Sequence, residues 1–172
     1  MTSKAVRWML LIAAIGFSSA GATRGWAEGG DSAALTAALK DATATLQGGL
    51  KASEREGTPI SAKFEIEDGK LQLSVYTTKG DAFTEVVADP NTGAIKGAET
   101  MKDADDLKAA AVQTATMAKA KVPLLTATET AVQANAGYRA VSVYPQLQDG
   151  NPTAEVTLLQ GTTFKKVMEK LD

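Results

Sequence analysis

The 172-residue chain contains no cysteine and no histidine. Without cysteine there are no disulfide staples, so stability has to come from burial of a core. The two absences together remove the usual ligands of zinc, copper and haem. They also exclude every catalytic scheme built on a histidine base or a cysteine nucleophile. No G-x-S-x-G, glycine-rich phosphate loop or H-E-x-x-H occurs. Paired carboxylates remain as a route to acid–base chemistry, but no pair stands in a distinctive context. The composition therefore points away from an enzyme and implies no cofactor.

A strong charge of either sign is missing too, since the whole chain carries a net −2. That argues against nucleic acid, which rewards a concentrated basic surface, and no polybasic patch is present for anionic lipid. Long apolar runs are also scarce. The longest, Trp8 to Phe17, follows Lys4 and Arg7 and precedes Ala20-Gly21-Ala22. Two cations, about ten apolar residues and a small-residue cleavage site describe a secretory signal peptide over 1–22, with Gly25-Trp26-Ala27 a later possible site. The run is shorter than the roughly 20 residues of a membrane span. Export to the periplasm, or beyond it, is the expectation. Removing Lys4 and Arg7 leaves 16 basic against 20 acidic residues, a mature net charge of −4.

What the chain does contain is alternation. Ile60, Ala62, Phe64 and Ile66 alternate with Ser61, Lys63, Glu65 and Glu67, the period-two pattern of a strand with one buried and one wet face. Asp68-Gly69 follows, a strong hairpin signal because a type I′ turn needs two residues that tolerate positive φ. Alternation then resumes with Leu71, Leu73 and Val75. A two-residue turn sets Glu67 opposite Lys70, Ile66 opposite Leu71, Phe64 opposite Leu73 and Ala62 opposite Val75, so apolar meets apolar at every second rung. The turn Lys79-Gly80-Asp81 leads to a third strand from Ala82 to Ala88, then the turn-rich Asp89-Pro90-Asn91-Thr92-Gly93 and a short extended piece, Ala94 to Lys96.

Helical spacing appears before and after this meander. Leu35, Leu39, Ala42, Leu46 and Leu50 form one stripe, with Asp31 and Ser32 as caps, Gly48-Gly49 weakening the helix enough to predict a break near Thr45, and Gly57 closing it. A second helix is predicted from Asp103-Ala104-Asp105-Asp106 to Ala120, its acids suiting the N-terminal dipole. Pro123 interrupts, and Thr126-Ala127-Thr128-Glu129 reads as the capping box of a helix ending near Asn135 to Gly137.

The meander then returns. With Ile60 aligned on Val141, Asp68-Gly69 falls on Asp149-Gly150, Val75 on Val156, Gly80 on Gly161 and Phe83 on Phe164. The same register test sets Val143 opposite Val156 and Val141 opposite Leu158. Pro145 and Pro152 cannot donate ladder bonds, so the strand carrying Pro145 is expected at a sheet edge or with a bulge. The organisation expected is α+β: a unit over 31–99 and a second over 103–172, the latter with an extra preceding helix placed to serve both.

Residues Gly57 to Lys70, continuing through Val75 to Val86-Val87-Ala88-Asp89 and Thr92-Gly93, resemble the PepSY domain. The second copy resembles it through Ala140-Val141-Ser142, Asp149-Gly150 and Ala154 to Thr157, departing at Pro145 and lacking the closing turn. The resemblance implies two PepSY-like repeats, each a helix packed on an antiparallel meander, in a non-catalytic module. Such units restrain secreted metallopeptidases as propeptides, and some tandem forms bind lanthanide ions. It transfers no catalytic, cofactor or metal residue.

Two classes of partner follow. The first is a protein or peptide, bound through an exposed tyrosine (Tyr76, or Tyr144 in the second copy) or by strand addition to an unpaired edge, as peptidase restraint would require. The second is a hard cation such as calcium or a lanthanide, since carboxylate and carbonyl oxygens are what this composition offers. Asp89 to Gly93 lacks the glycine and glutamate of an EF-hand, Asp149 to Glu155 is already explained by a hairpin, Asp103, Asp105 and Asp106 suit a helix start, and Glu65, Glu67 and Asp68 read as a solvated face. A cation site would have to be assembled from acids distant in sequence.

Overall fold

A computed structural model describes residues 30–172; the expected signal peptide 1–22 and its alternative cleavage site at 27 lie outside the described residues. Eleven elements follow in order: α1 (Gly30–Leu39), α2 (Leu46–Ser53), β1 (Thr58–Glu67), β2 (Lys70–Lys79), β3 (Ala82–Ala88), β4 (Ile95–Thr100), α3 (Ala104–Met117), α4 (Leu124–Gln133), β5 (Arg139–Gln148), β6 (Asn151–Gln160) and β7 (Thr163–Lys170). The strands form one antiparallel sheet of seven in the order β4-β3-β2-β1-β5-β6-β7. The fold is mixed α+β. No helix among the described residues is long and apolar enough to cross a membrane.

The first hairpin has the expected register, Glu67–Lys70, Ile66–Leu71, Phe64–Leu73 and Ala62–Val75. Its turn has positive φ at Asp68 (49°) and Gly69 (73°), and Asp149 (52°) and Gly150 (81°) repeat this in the second hairpin. The β2–β3 and β6–β7 pairings also match, Val75 facing Val86 and Val156 facing Val167. Positions offset by 81, the distance from Ile60 to Val141, therefore occupy matching rungs of the two meanders. At the seam between them β1 meets β5 through Ala62–Val143 and Lys63–Ser142. Ala62 thus pairs with its own counterpart, which places a local two-fold axis through the centre of the sheet.

The main core lies on one face. Leu46 and Leu50 of α2 and Leu124, Ala127 and Ala131 of α4 cover Ala62, Phe64, Leu73, Val75, Val86, Val143, Val156 and Leu158, all buried. The break between α1 and α2 spans residues 40–45, and the hydroxyl of Thr45 caps α2 by accepting from the Gly48 N–H. Gly49 is there for proximity: a Cβ on it would stand 2.5 Å from the Leu73 side chain. Gly57 does not close the helix, which ends at Ser53; it lies where a Cβ would stand 2.7 Å from the Thr78 carbonyl oxygen. Asp31 and Ser32 sit inside the first turn of α1 rather than ahead of it.

Three further expectations are corrected, and that for the Pro145 strand is met by a bulge. Ile60 does not share a face with Ala62. A bulge between Pro59 and Ser61 turns it to the opposite side, where it packs with Tyr76 and Ala110. The matching bulge between Ala140 and Ser142 means that Ala140, not Val141, faces Leu158. The strand with Pro145 is β5, which lies beside the centre and carries the expected bulge, at Ala140/Ser142 rather than at the proline. Proline is tolerated because the β1–β5 ladder spans only Ser142 and Val143 on that strand and never reaches it. Finally, α4 begins at Leu124 directly after Pro123, so Thr126 lies within the helix, where its carbonyl accepts from the Thr130 hydroxyl, and no capping box forms. Proline at a helix start removes an N–H that has no helical partner anyway.

Arg139, at the start of β5, ties the second meander to the α1–α2 connection. Its guanidinium donates to the carbonyls of Leu39 (3.0 Å), Ala42 (2.8 Å) and Ala44 (2.7 Å), filling acceptors left open where α1 stops. The same group lies 5.2 Å from the centre of the Phe64 ring.

Candidate functional site

The opposite face of the sheet should have been wet by its alternation, yet α3 lies across it. Asp103 caps this helix by accepting from the Asp105 and Asp106 N–H groups. Ser61 donates to Gln113 of α3 at 2.8 Å, and Ala110 closes over Ile60 and Tyr76. Tyr76 is therefore 5 % exposed, and Ser61 and Ser74 are buried as well. Tyr144, on the same face, is only partly exposed. Neither tyrosine is the free aromatic anchor expected from the pattern. Burial, with Glu65, Glu85 and Tyr144 nearby, raises the Tyr76 phenol well above its usual value; burial beside Glu65 and Glu155 raises Tyr144 likewise.

Beyond the reach of α3 the same face gathers carboxylates. Glu65 and Glu67 of β1 and Glu85 of β3 bring oxygens within 4.8 Å of one another, all three half-buried. Across β2, Glu65 faces Gln72, and two pleat repeats further along that strand Tyr76 faces Glu85, so all three carboxylates rise from the same face of the sheet. Gln72 binds the group together, its amide donating to Glu67 (2.6 Å), to Ser74 (2.9 Å) and, at longer range, to Glu65 (3.5 Å). Tyr76 donates to Glu85 at 3.4 Å. Lys63 makes an ion pair with Glu65 at 2.6 Å. Burial, then Glu65 and Glu67, push the Glu85 carboxyl up to about 7 against the pull of Ser74 and Lys63. Three acids and one amine leave an excess of negative charge in a low-dielectric corner.

Other acids singled out in the sequence lie elsewhere, in turns and at a helix start. Asp89 accepts from Asn91 and Thr92 with one oxygen and pairs with Lys96 at 2.7 Å with the other, and Lys96 with these N–H groups holds its carboxyl far below the usual range. The turn it organises docks on the α1–α2 connection, where the Ala44 N–H donates to the Pro90 carbonyl. Asp149 sits in the hairpin turn, and Asp103 is a helix cap. Asp106, in the first turn of α3, is buried, and that burial, with Asp103, raises it to about 6. Among the acids singled out in sequence, Glu65 and Glu67 converge, Asp68 stays in its turn, and Glu85 joins them from a third strand. A signal for Glu85 existed: a two-residue turn at Gly80-Asp81 sets Lys79 against Ala82 and hence Tyr76 against Glu85.

Comparison with known proteins adds little. No family model matches the chain and no curated protein matches it. A solved structure with a similar course is a candidate lipoprotein of Clostridium difficile 630, 13 % identical, with a TM-score of 0.39, covering 71 % of this chain and 80 % of that one.

Proposed function

We propose that the chain is an exported, non-catalytic module of two PepSY-like repeats that binds a protein or peptide partner and, in that role, restrains a peptidase. The observation that carries this reading is the open sheet. Its two outer strands, β4 and β7, have no strand partner on their outer sides among the described residues, and neither contains proline. Unpaired main-chain donors and acceptors of this kind accept an added extended segment. The repeat reading is supported by the shared offset of 81, the paired bulges at Ile60 and Val141, and the two Asp-Gly turns. Capture from periplasmic extract on the immobilised mature chain tests it: a retained protein is expected, and retention of none removes the proposal.

A second reading is favoured by one comparison within the sheet. Positions matching Glu65, Glu67 and Glu85 in the second meander are Gln146, Gln148 and Lys166. The same strands thus form without carboxylates there, so the fold does not require the acidic trio. Three converging carboxylates suit a hard cation such as calcium or a lanthanide, with Gln72 able to present its carbonyl instead of its amide. A melting scan with calcium, lanthanum and magnesium tests this. Site binding stabilises by about 2.7 kcal/mol at a hundredfold excess over Kd, and a scan without any shift removes the reading.

A further inference from the structure

Of the two open edges only one is built to receive a chain. β4 is six residues long, contains Gly97, is displaced from β3 by a bulge at Val87/Ala88, and has Lys96 committed to Asp89. Short, bulged edges resist strand addition. β7 is eight residues long and pairs with β6 without interruption from Gln160–Thr163 to Thr153–Lys170. Its hydrogen-bonded rungs are fixed at both ends, by the two-residue turn after Gln160 and by the Leu171 N–H donating to Pro152. The main-chain groups of Phe164, Lys166, Met168 and Lys170 therefore face outward.

The charge along this edge is opposite to that of the protein. Lys165, Lys166 and Lys170 are exposed on β7, and exposed Lys121 lies at its end, where its N–H donates to the Leu171 carbonyl. Glu155 takes up Lys166 at 2.6 Å, and Glu169 is the one acid on the strand. A basic edge on a chain of net −2 favours an acidic segment over another basic one, because opposite charges set across two strands attract and like charges repel. We infer that β7 is the docking edge for an extended acidic segment of another protein, added antiparallel or parallel by main-chain bonds to Phe164, Lys166, Met168 and Lys170, with its acids set against the lysines. This rests on the binding-module reading and gives it a place and a partner chemistry.

The test uses the mature chain and two acetylated heptapeptides, one alternating glutamate with valine, the other lysine with valine. The acidic peptide is expected to bind at least about tenfold more tightly, a difference of about 1.4 kcal/mol, and to slow amide exchange at Phe164, Lys166, Met168 and Lys170. Met168→Pro removes an outward N–H that the β6–β7 ladder does not use, so it should abolish binding while leaving the melting temperature close to that of the parent. The double variant Lys165→Glu/Lys170→Glu should reverse the preference between peptides without touching the backbone. Equal binding of the two peptides, protection at Ala98 and Thr100 of β4 instead, or no binding of either up to about 1 mM overturns the β7 assignment. In those cases a protein retained from periplasmic extract still supports the general module, whereas retention of none removes both.

Discussion

The two meanders share a register, a bulge position and both turn types, yet they fill matching rungs with different chemistry. Phe64 corresponds to Pro145, Lys63 to Tyr144, Tyr76 to Thr157 and Glu85 to Lys166. The first meander carries the bulky core anchor and the carboxylates. The second carries the basic edge and, among its buried polar atoms, two hydroxyls on Ser142 and Thr157 with no hydrogen-bond partner. Backbone pairing and alternation are evidently enough to specify this architecture twice; the side chains on the face under α3 are free to diverge. Where they diverge most, between the acidic trio and its neutral or basic counterparts, selection for something other than folding is the economical explanation.

The sharpest way to break that comparison is at its core rung. Phe64 is fully buried opposite Leu73. Phe64→Ala should lose about 3–5 kcal/mol in urea unfolding through lost transfer energy and an unfilled cavity. Pro145→Ala, at the matching rung, should lose no more than about 1.5 kcal/mol, the removed ring being smaller. Equal losses would show that the core is shared evenly and that the first meander is not its anchor. Arg139 comes next. Its counterpart Thr58 has no such role, and Arg139→Ala removes the guanidinium from three carbonyl oxygens, of which Leu39 keeps the Ala42 N–H, for an expected loss of about 2–3 kcal/mol. Arg139→Lys should recover only part of it, since an ammonium cannot reproduce the planar fork. A loss below about 1 kcal/mol would mean that water serves those carbonyls equally well.

Much of this was legible from residues alone, for a physical reason. Phe64, Leu73, Val75 and the Asp68-Gly69 turn constrain one another locally, so the hairpin register and its repeat at Val143–Val156 follow from sequence. Ile60 was not legible, because an apolar residue fits either face and nothing local marks a bulge. Nor was the cover over Ser61, Ser74 and Tyr76, since small hydroxyls and a tyrosine suit water or a helix such as α3 with equal ease. The carboxylate trio needs two registers at once, β1 on β2 and β2 on β3, and the weak alternation of Ala82 to Ala88 hid the second. Pro145 left edge and bulge as alternatives; β5 is bulged, and its central place was hidden because the rule against central proline concerns ladder bonds, which the short β1–β5 ladder does not need there.

Titration tests the divergent face. Glu85 has a folded-state pKa of about 7, raised from 4.5, so whatever stability it contributes is fully present below pH 4.5 and lost as pH rises toward 7. Asp106, raised to about 6, acts in the same direction over a lower window. Stability measured by urea unfolding should therefore fall between pH 5 and pH 8 in the parent, and Glu85→Gln should flatten that slope and raise stability at pH 8 by about 1 kcal/mol. A parallel slope in Glu85→Gln would assign the pH dependence elsewhere. If the trio holds a hard cation, calcium should erase the parent's slope above pH 7 and leave the variant unmoved.

The smallest effect expected is at the partner position, and it decides how the comparison is read. Lys166 pairs with Glu155 at 2.6 Å, with both side chains in reach of solvent. Exposed pairs of this kind are worth about 0.2–1 kcal/mol, screened further by salt. Lys166→Gln should therefore cost less than about 0.5 kcal/mol in urea unfolding in 0.15 M salt. The mirrored change, Glu85→Lys, tests whether the first meander tolerates the chemistry of the second. Placed beside Glu65 and Glu67, a lysine neutralises the cluster and should stabilise at pH 8 relative to the parent. If it destabilises instead, the corner formed by Gln72, Ser74 and Tyr76 is shaped around a carboxylate, and the acidic trio belongs to the fold rather than to a ligand.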